Sequence, residues 1–120
     1  MGGMPATATI FHNPKCGTST KVLALLQERG VEPQVVEYLK APPSAAEWKA
    51  LIGRSGLGIR DFFRVKEKLY TELDVGNPKW SDAQLLHFLA QHPALLNRPV
   101  VATAKGVRPC RPPEVVLELL

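Results

Sequence analysis

The stretch from Thr7 to Tyr38 constrains the fold of this chain more than any other. Thr7 to Phe11 is rich in β-branched and apolar residues and predicts a short strand. It runs into Asn13-Pro14, a turn signal, and then into Cys16-Gly17-Thr18-Ser19. From Thr18 onward Val22, Leu23, Leu25 and Leu26 recur at helical spacing, and Gly30 closes the segment as a C-terminal glycine does. Val31 to Tyr38, centred on Val35-Val36, predicts a second strand. Strand, helix and strand make a β-α-β unit, which implies a parallel pair joined by a right-handed crossover. Cys16 then sits at the mouth of a helix. Open backbone N–H groups and the helix dipole favour negative charge there, and so favour thiolate over thiol.

The middle of the chain reads as a helical block. Ala41-Pro42-Pro43 is a stiff loop, and Ser44-Ala45-Ala46-Glu47 has the form of a capping box. The helix behind it carries Trp48, Leu51 and Ile52 on one face, and Gly53 to Gly58 interrupts it. Ile59 to Phe63 is a short apolar turn or helix, followed by a charged, solvated run through Lys66-Glu67-Lys68. After a break at Gly76-Asn77-Pro78, Ser81 caps a helix from Asp82 to Gln91, with Leu85, Leu86, Phe88 and Leu89 facing the core. Trp48, Phe62, Phe63, Trp80 and Phe88 read as packing residues.

The last third changes character. Asn97-Arg98-Pro99 leads into a strand at Val100-Val101-Ala102. Lys105-Gly106 is a hairpin-type turn, and Val107 to Cys110 returns antiparallel. Pro112-Pro113 starts a final helix with Val115, Val116, Leu119 and Leu120 on its apolar face. The order β-α-β, helical block, β-β-α is that of an α/β thioredoxin-like fold: a mixed four-stranded sheet with helices inserted in its middle. Such folds carry a nucleophilic cysteine at the start of the first helix and a cis-proline before the third strand. Arg98–Pro99 is therefore predicted cis, although only about 5–6% of X-Pro bonds are.

Composition narrows the function. A chain of 120 residues suits a single domain over residues 1–120, with residues 1–6 expected to be disordered. The formal charge is +4, and Lys and Arg are spread along the chain rather than gathered in a stripe, which argues against a nucleic-acid partner. A modest basic balance suits a small anion. No apolar run is long enough to span a bilayer and no secretory signal is visible, so neither a membrane nor export is expected. Two cysteines without a Cys-x-x-Cys fit neither a disulfide scaffold nor a dithiol oxidoreductase, and Ser19 stands where the second thiol would be. That usage points to the cytoplasm. No His, Cys, Asp and Glu spacing resembles a metal site, and nothing requires more than a monomer.

Two readings of Cys16 stand side by side: a buried inert thiol, the common state, or a nucleophile. Its flanks, Pro14-Lys15 and Gly17-Thr18-Ser19, are not apolar, which favours the nucleophile. Gly17 lets a ligand approach the backbone, and Thr18 and Ser19 bring hydroxyl donors. Cys110 reads as structural. Arg64, Arg98 and Arg111 stand at loops or element ends. Each alone is a solvated surface arginine, but together they offer the bidentate donors a tetrahedral oxyanion needs. His12 is either a protonated neighbour that lowers the thiol pKa or a strand-end histidine with a structural hydrogen bond.

Over nearly its whole length the chain resembles the glutaredoxin-coupled arsenate reductase family. The resemblance rests on His12-Asn13-Pro14-x-Cys16-Gly17-Thr18-Ser19, Tyr38-Leu39-Lys40-x-Pro42-Pro43, Arg64-x-Lys66-Glu67 with Tyr70-x-Glu72-Leu73, Gln91-His92-Pro93, Asn97-Arg98-Pro99-Val100 and Cys110-Arg111-Pro112. It implies that Cys16 attacks arsenate, that glutathione reduces the thiol–arsenate adduct, and that glutaredoxin resolves the mixed disulfide, with no bound cofactor. It also implies an oxyanion cradle of Arg64, Arg98 and Arg111. His12 would favour the thiolate, Ser19 would hydrogen-bond near it, and Cys110 would be dispensable. Many members carry a basic residue directly after Cys-Gly-Thr-Ser. Thr20 stands there in this chain, which implies a higher Cys16 pKa than in a typical member. Two rival functions remain at this point. One is a glutathione-dependent thiol reductase of the same fold. The other is an RNA-polymerase-binding redox regulator, against which the missing second cysteine argues.

Overall fold

The computed structural model describes residues 8–120. The expectation of disorder over residues 1–6, and of Thr7 as the start of a strand, lies outside the described residues. Strand β1 is Ala8–His12, helix α1 is Gly17–Glu28 and strand β2 is Gln34–Glu37. The first two strands run parallel, with Ile10 beside Val35, Phe11 beside Val36 and His12 beside Glu37. Strand β2 is shorter than the Val31–Tyr38 stretch expected. The Val31 amide closes the end of α1 by bonding Leu26 O at 2.9 Å. Pro33 has no N–H to give a ladder. At the other end, Lys40 and Ala41 both turn back onto Glu37 O.

Helix α2, Ala45–Gly53, begins with the expected capping box: Glu47 N–H donates to Ser44 Oγ and Ser44 N–H to Glu47 Oε1, both at 3.1 Å. A 3-10 turn covers Ile59–Phe62. Helix α3, Lys68–Glu72, begins on the last residue of the Lys66-Glu67-Lys68 run, which the sequence predicts only as a solvated face. None of its residues is fully buried, so no apolar stripe announces it. Helix α4 spans Asp82–Gln91 as expected, capped by Ser81. Strands β3, Val100–Thr103, and β4, Gly106–Pro109, form the antiparallel hairpin, which starts and ends one residue earlier on its return than expected. The final helix, Pro113–Leu119, is of the 3-10 type.

The sheet order is β2-β1-β3-β4, with only the first pair parallel among the described strands. This is the thioredoxin-like arrangement with an inserted helical block. Side chains alternate between faces along each strand and sort into two cores. Ile10 and Val101 oppose each other on the face covered by α1 and the final helix, with Val22, Leu26, Val116 and Leu119. Phe11 and Val100 oppose each other on the other face, under Trp48, Ile52, Leu85 and Leu89 of the inserted block. The Phe11 and Trp48 rings pack tilted with centroids 5.3 Å apart, fastening α2 to β1 one residue before His12.

Candidate functional site

Topology brings the candidate residues to one end of the sheet. The parallel strands β1 and β2 both end there, at His12 and Glu37. Strand β3 runs the other way, so it begins there, with Val100 opposite Phe11. Strand β4 reverses again and ends there, with Pro109 opposite Val100. The crevice at the carboxyl ends of parallel strands is where open α/β sheets bind ligands.

Cys16 is the N-cap of α1, in extended conformation with φ −100° and ψ 121°. The loop behind it is tight, with Cys16 N–H donating to Asn13 O at 3.0 Å. Burial pushes the half-buried thiol up, but the Ser19 N–H, the Arg98 guanidinium and the Thr18 N–H outweigh it. The Cys16 pKa therefore lies below the ordinary thiol value. Two helix-start N–H groups and one guanidinium stabilise the thiolate, as expected of a nucleophile at a helix mouth. A Cβ added at Gly17 would meet nothing within 4 Å, so the approach along the backbone is open. Thr20 Oγ1 turns back to donate to Cys16 O at 3.1 Å, onto the helix backbone. Cys110 is fully buried, and burial pushes its pKa up to about 12.

Ser19 is divided between two tasks. Its N–H serves the Cys16 thiol. Its hydroxyl, expected near the thiol, instead lies 2.5 Å from His12 Nδ1 and accepts the Asn13 N–H at 3.0 Å. His12 is buried, and burial lowers its pKa against the opposing charge of Glu37. The lowered pKa favours the neutral imidazole, and its contact with the Ser19 hydroxyl ties the end of β1 to the first turn of α1.

Arg98 is the arginine on the thiol. Its peptide bond to Pro99 is cis, as the sequence predicts, and so is the Arg111–Pro112 bond. Arg111 is exposed, and its Nη1 donates to Arg98 O at 3.1 Å. Arg64 arrives by a separate route. Its N–H donates to Leu95 O at 2.7 Å, Asn97 N–H donates to Phe62 O at 2.7 Å, and Phe63 pairs with Leu96. These bonds stitch the Arg64 loop to the segment leading into Arg98. Arg64 Nη1 lies 3.9 Å from Glu67 Oε2, a partly exposed pair that holds the guanidinium only loosely.

In the sequence Tyr38 is the expected end of the second strand and part of a family motif; in the structure its side chain reaches this corner. Its ring is 1% exposed and belongs to the core with Phe11 and Trp48. Burial pushes its pKa up, against the charges of Arg98 and Arg64 and the neighbouring Asn13 side chain, and the Cys16 thiolate pushes it the same way as burial. One signal was available: Tyr38 directly follows the second of two parallel strands. Among the described residues, no three His, Cys, Asp or Glu side chains gather to hold a metal ion. No described helix is long and apolar enough to cross a membrane.

A model of the ArsC family matches residues 11–119. The chain is 51% identical over 114 residues to an arsenate reductase from Rhizobium meliloti, covering 95% of this chain and 81% of that protein. It is 46% identical over 112 residues to an arsenate reductase from Escherichia coli, covering 93% and 79%. Among solved structures, an arsenate reductase from Vibrio cholerae superposes with a TM-score of 0.93 at 44% identity, covering 98% of this chain and all of that one.

Proposed function

The chain belongs to the ArsC family, and from that premise we propose that it reduces arsenate to arsenite with Cys16 as its single nucleophile. The observation that carries the reading is the thiol itself, ionised below the ordinary value by the Ser19 and Thr18 N–H groups and the Arg98 guanidinium. The thiolate attacks arsenic, an S–As bond forms, and one arsenate oxygen leaves as water after taking up protons. Arg64, Arg98 and Arg111 receive the remaining oxygens in forked hydrogen bonds. Gly17 leaves the approach open, and the Thr18 N–H helps hold the thiolate. His12 and Ser19 act as positioning residues that fix the loop.

Reduction needs two electrons, and no second thiol of this chain is at hand. Position 19 is serine, and Cys110 is buried with a pKa near 12. The electrons therefore come from outside. Glutathione attacks the adduct sulfur, a Cys16–glutathione disulfide forms, and the electron pair of the broken S–As bond leaves with arsenic as arsenite. Glutaredoxin then takes the glutathionyl group and frees the Cys16 thiol. The reaction uses no bound cofactor, and one copy of the chain carries the whole thiol chemistry.

The test compares Arg64→Ala with the parent protein on two substrates, arsenate and a glutathione mixed disulfide, each with glutathione and glutaredoxin present. The arsenate reading predicts loss of arsenate turnover with disulfide reduction retained or absent in both proteins. Undiminished arsenate turnover, or disulfide reduction as the only activity of the parent, contradicts it.

A further inference from the structure

Among the described residues, two buried side-chain polar atoms have no hydrogen-bond partner: the Tyr38 hydroxyl and Arg98 Nε. Buried polar groups are almost always paired, and an orphan is expensive. Here both orphans are donors and both belong to one corner of the molecule. The Tyr38 hydroxyl has the Asn13 side chain as its neighbour, outside hydrogen-bond geometry, and lies within electrostatic reach of Arg98, Cys16 and Arg64. The parallel register explains the placement. Glu37 lies beside His12 at the end of both strands, and Tyr38, the next residue, brings its hydroxyl to the Asn13 side chain at the start of the cysteine loop. The ring is locked in the core with Phe11, Trp48 and Phe62, so the hydroxyl cannot swing out to water. Core packing of the ring alone would be served equally by phenylalanine.

We infer that the Tyr38 hydroxyl is a substrate-binding group, donating a hydrogen bond to one oxygen of the tetrahedral oxyanion held at Cys16 while Arg98 Nε–H donates to another. The anion satisfies both orphans at once. Burial keeps the phenol protonated, and hence a donor, throughout the neutral range. A neutral donor adds directionality without adding charge, which the arginines already supply. The identity of the anion rests on the proposed arsenate chemistry; the contact itself does not.

The decisive variant is Tyr38→Phe, which deletes the hydroxyl and keeps the ring. In a Cys16→Ser background, calorimetric titration with sulfate and with arsenate reads binding without chemistry. The expected result is a Kd about 10-fold weaker for both anions. In the parent background the arsenate KM rises by about the same factor and kcat changes less. The anion-free melting temperature stays equal or rises, because an orphan has been removed. An unchanged Kd overturns the inference, as does a lowered anion-free melting temperature with Kd unchanged, the mark of a purely structural hydroxyl. A second measurement leaves the core intact. The chain has two tyrosines, Tyr38 and Tyr70, so 3-fluorotyrosine labelling yields two fluorine resonances. Sulfate or arsenate must shift that of Tyr38, and a Tyr38 resonance unmoved by both anions overturns the inference. If the parent makes no arsenite but Tyr38→Phe still weakens sulfate binding, the arsenate reading falls and the Tyr38 contact stands.

Discussion

Arg111 Nη1 donates a hydrogen bond to the carbonyl oxygen of Arg98 at 3.1 Å. One arginine thereby braces the backbone of the residue whose guanidinium lies on the Cys16 thiol. A lysine at this position keeps the charge but loses the fork, which can hold a carbonyl and an anion together. Arg111→Lys is expected to raise the arsenate KM about 10-fold while moving stability by no more than about 0.5 kcal/mol, since the side chain is exposed. Steady-state kinetics with a parallel urea titration check both halves.

The depressed Cys16 pKa predicts a specific alkylation profile. The rate of iodoacetamide labelling should rise with pH through a midpoint below that of an ordinary cysteine. Arg98→Leu removes one of the groups that hold the thiolate and should move the midpoint up. Cys110, at about 12 and fully buried, should stay unlabelled in the native protein. Mass spectrometry of the labelled peptides distinguishes the two sites.

His12 links folding to pH. Its folded pKa is lowered, first by burial and despite Glu37, from an unfolded value of about 6.5. Between those two values the unfolded chain binds more protons than the folded one. Stability is therefore full above about pH 6.5 and falls as pH drops through the window. Denaturation at about pH 7.5 and about pH 5.5 should show this loss in the parent protein, and His12→Gln should flatten it. Ser19→Ala leaves the partly buried Asn13 N–H without its acceptor and should cost about 1 kcal/mol at either pH.

Ser44 offers a control on stability alone. Its hydroxyl caps α2, whose Trp48 packs on Phe11. Ser44→Ala should cost about 1 kcal/mol. Thermal melts should register it, and kcat for arsenate should stay at the parent value.

Much of this was legible in the residues because it is local. The change from strand to helical period around Cys16, the Ser44-to-Glu47 box and the hairpin at Lys105-Gly106 are set by neighbours in sequence. Helix α3 was not legible, because a five-residue segment with no fully buried residue is too short to carry a periodic signal. The His12–Ser19 contact and the stitching of Arg64 to Leu95 depend on how the loops close, which spacing alone does not report. Tyr38 escaped for the same reason. Its hydroxyl matters only once the ends of β1 and β2 bring it to the Asn13 side chain and the core denies it water.

The most direct measurement is arsenite production in the presence of glutathione and glutaredoxin by the parent chain, Cys16→Ser and Cys110→Ser. Arsenite from the parent and from Cys110→Ser, with none above background from Cys16→Ser, is the predicted result. Arsenite from Cys16→Ser at a rate comparable to the parent, or none from any of the three, would contradict a single catalytic thiol at Cys16.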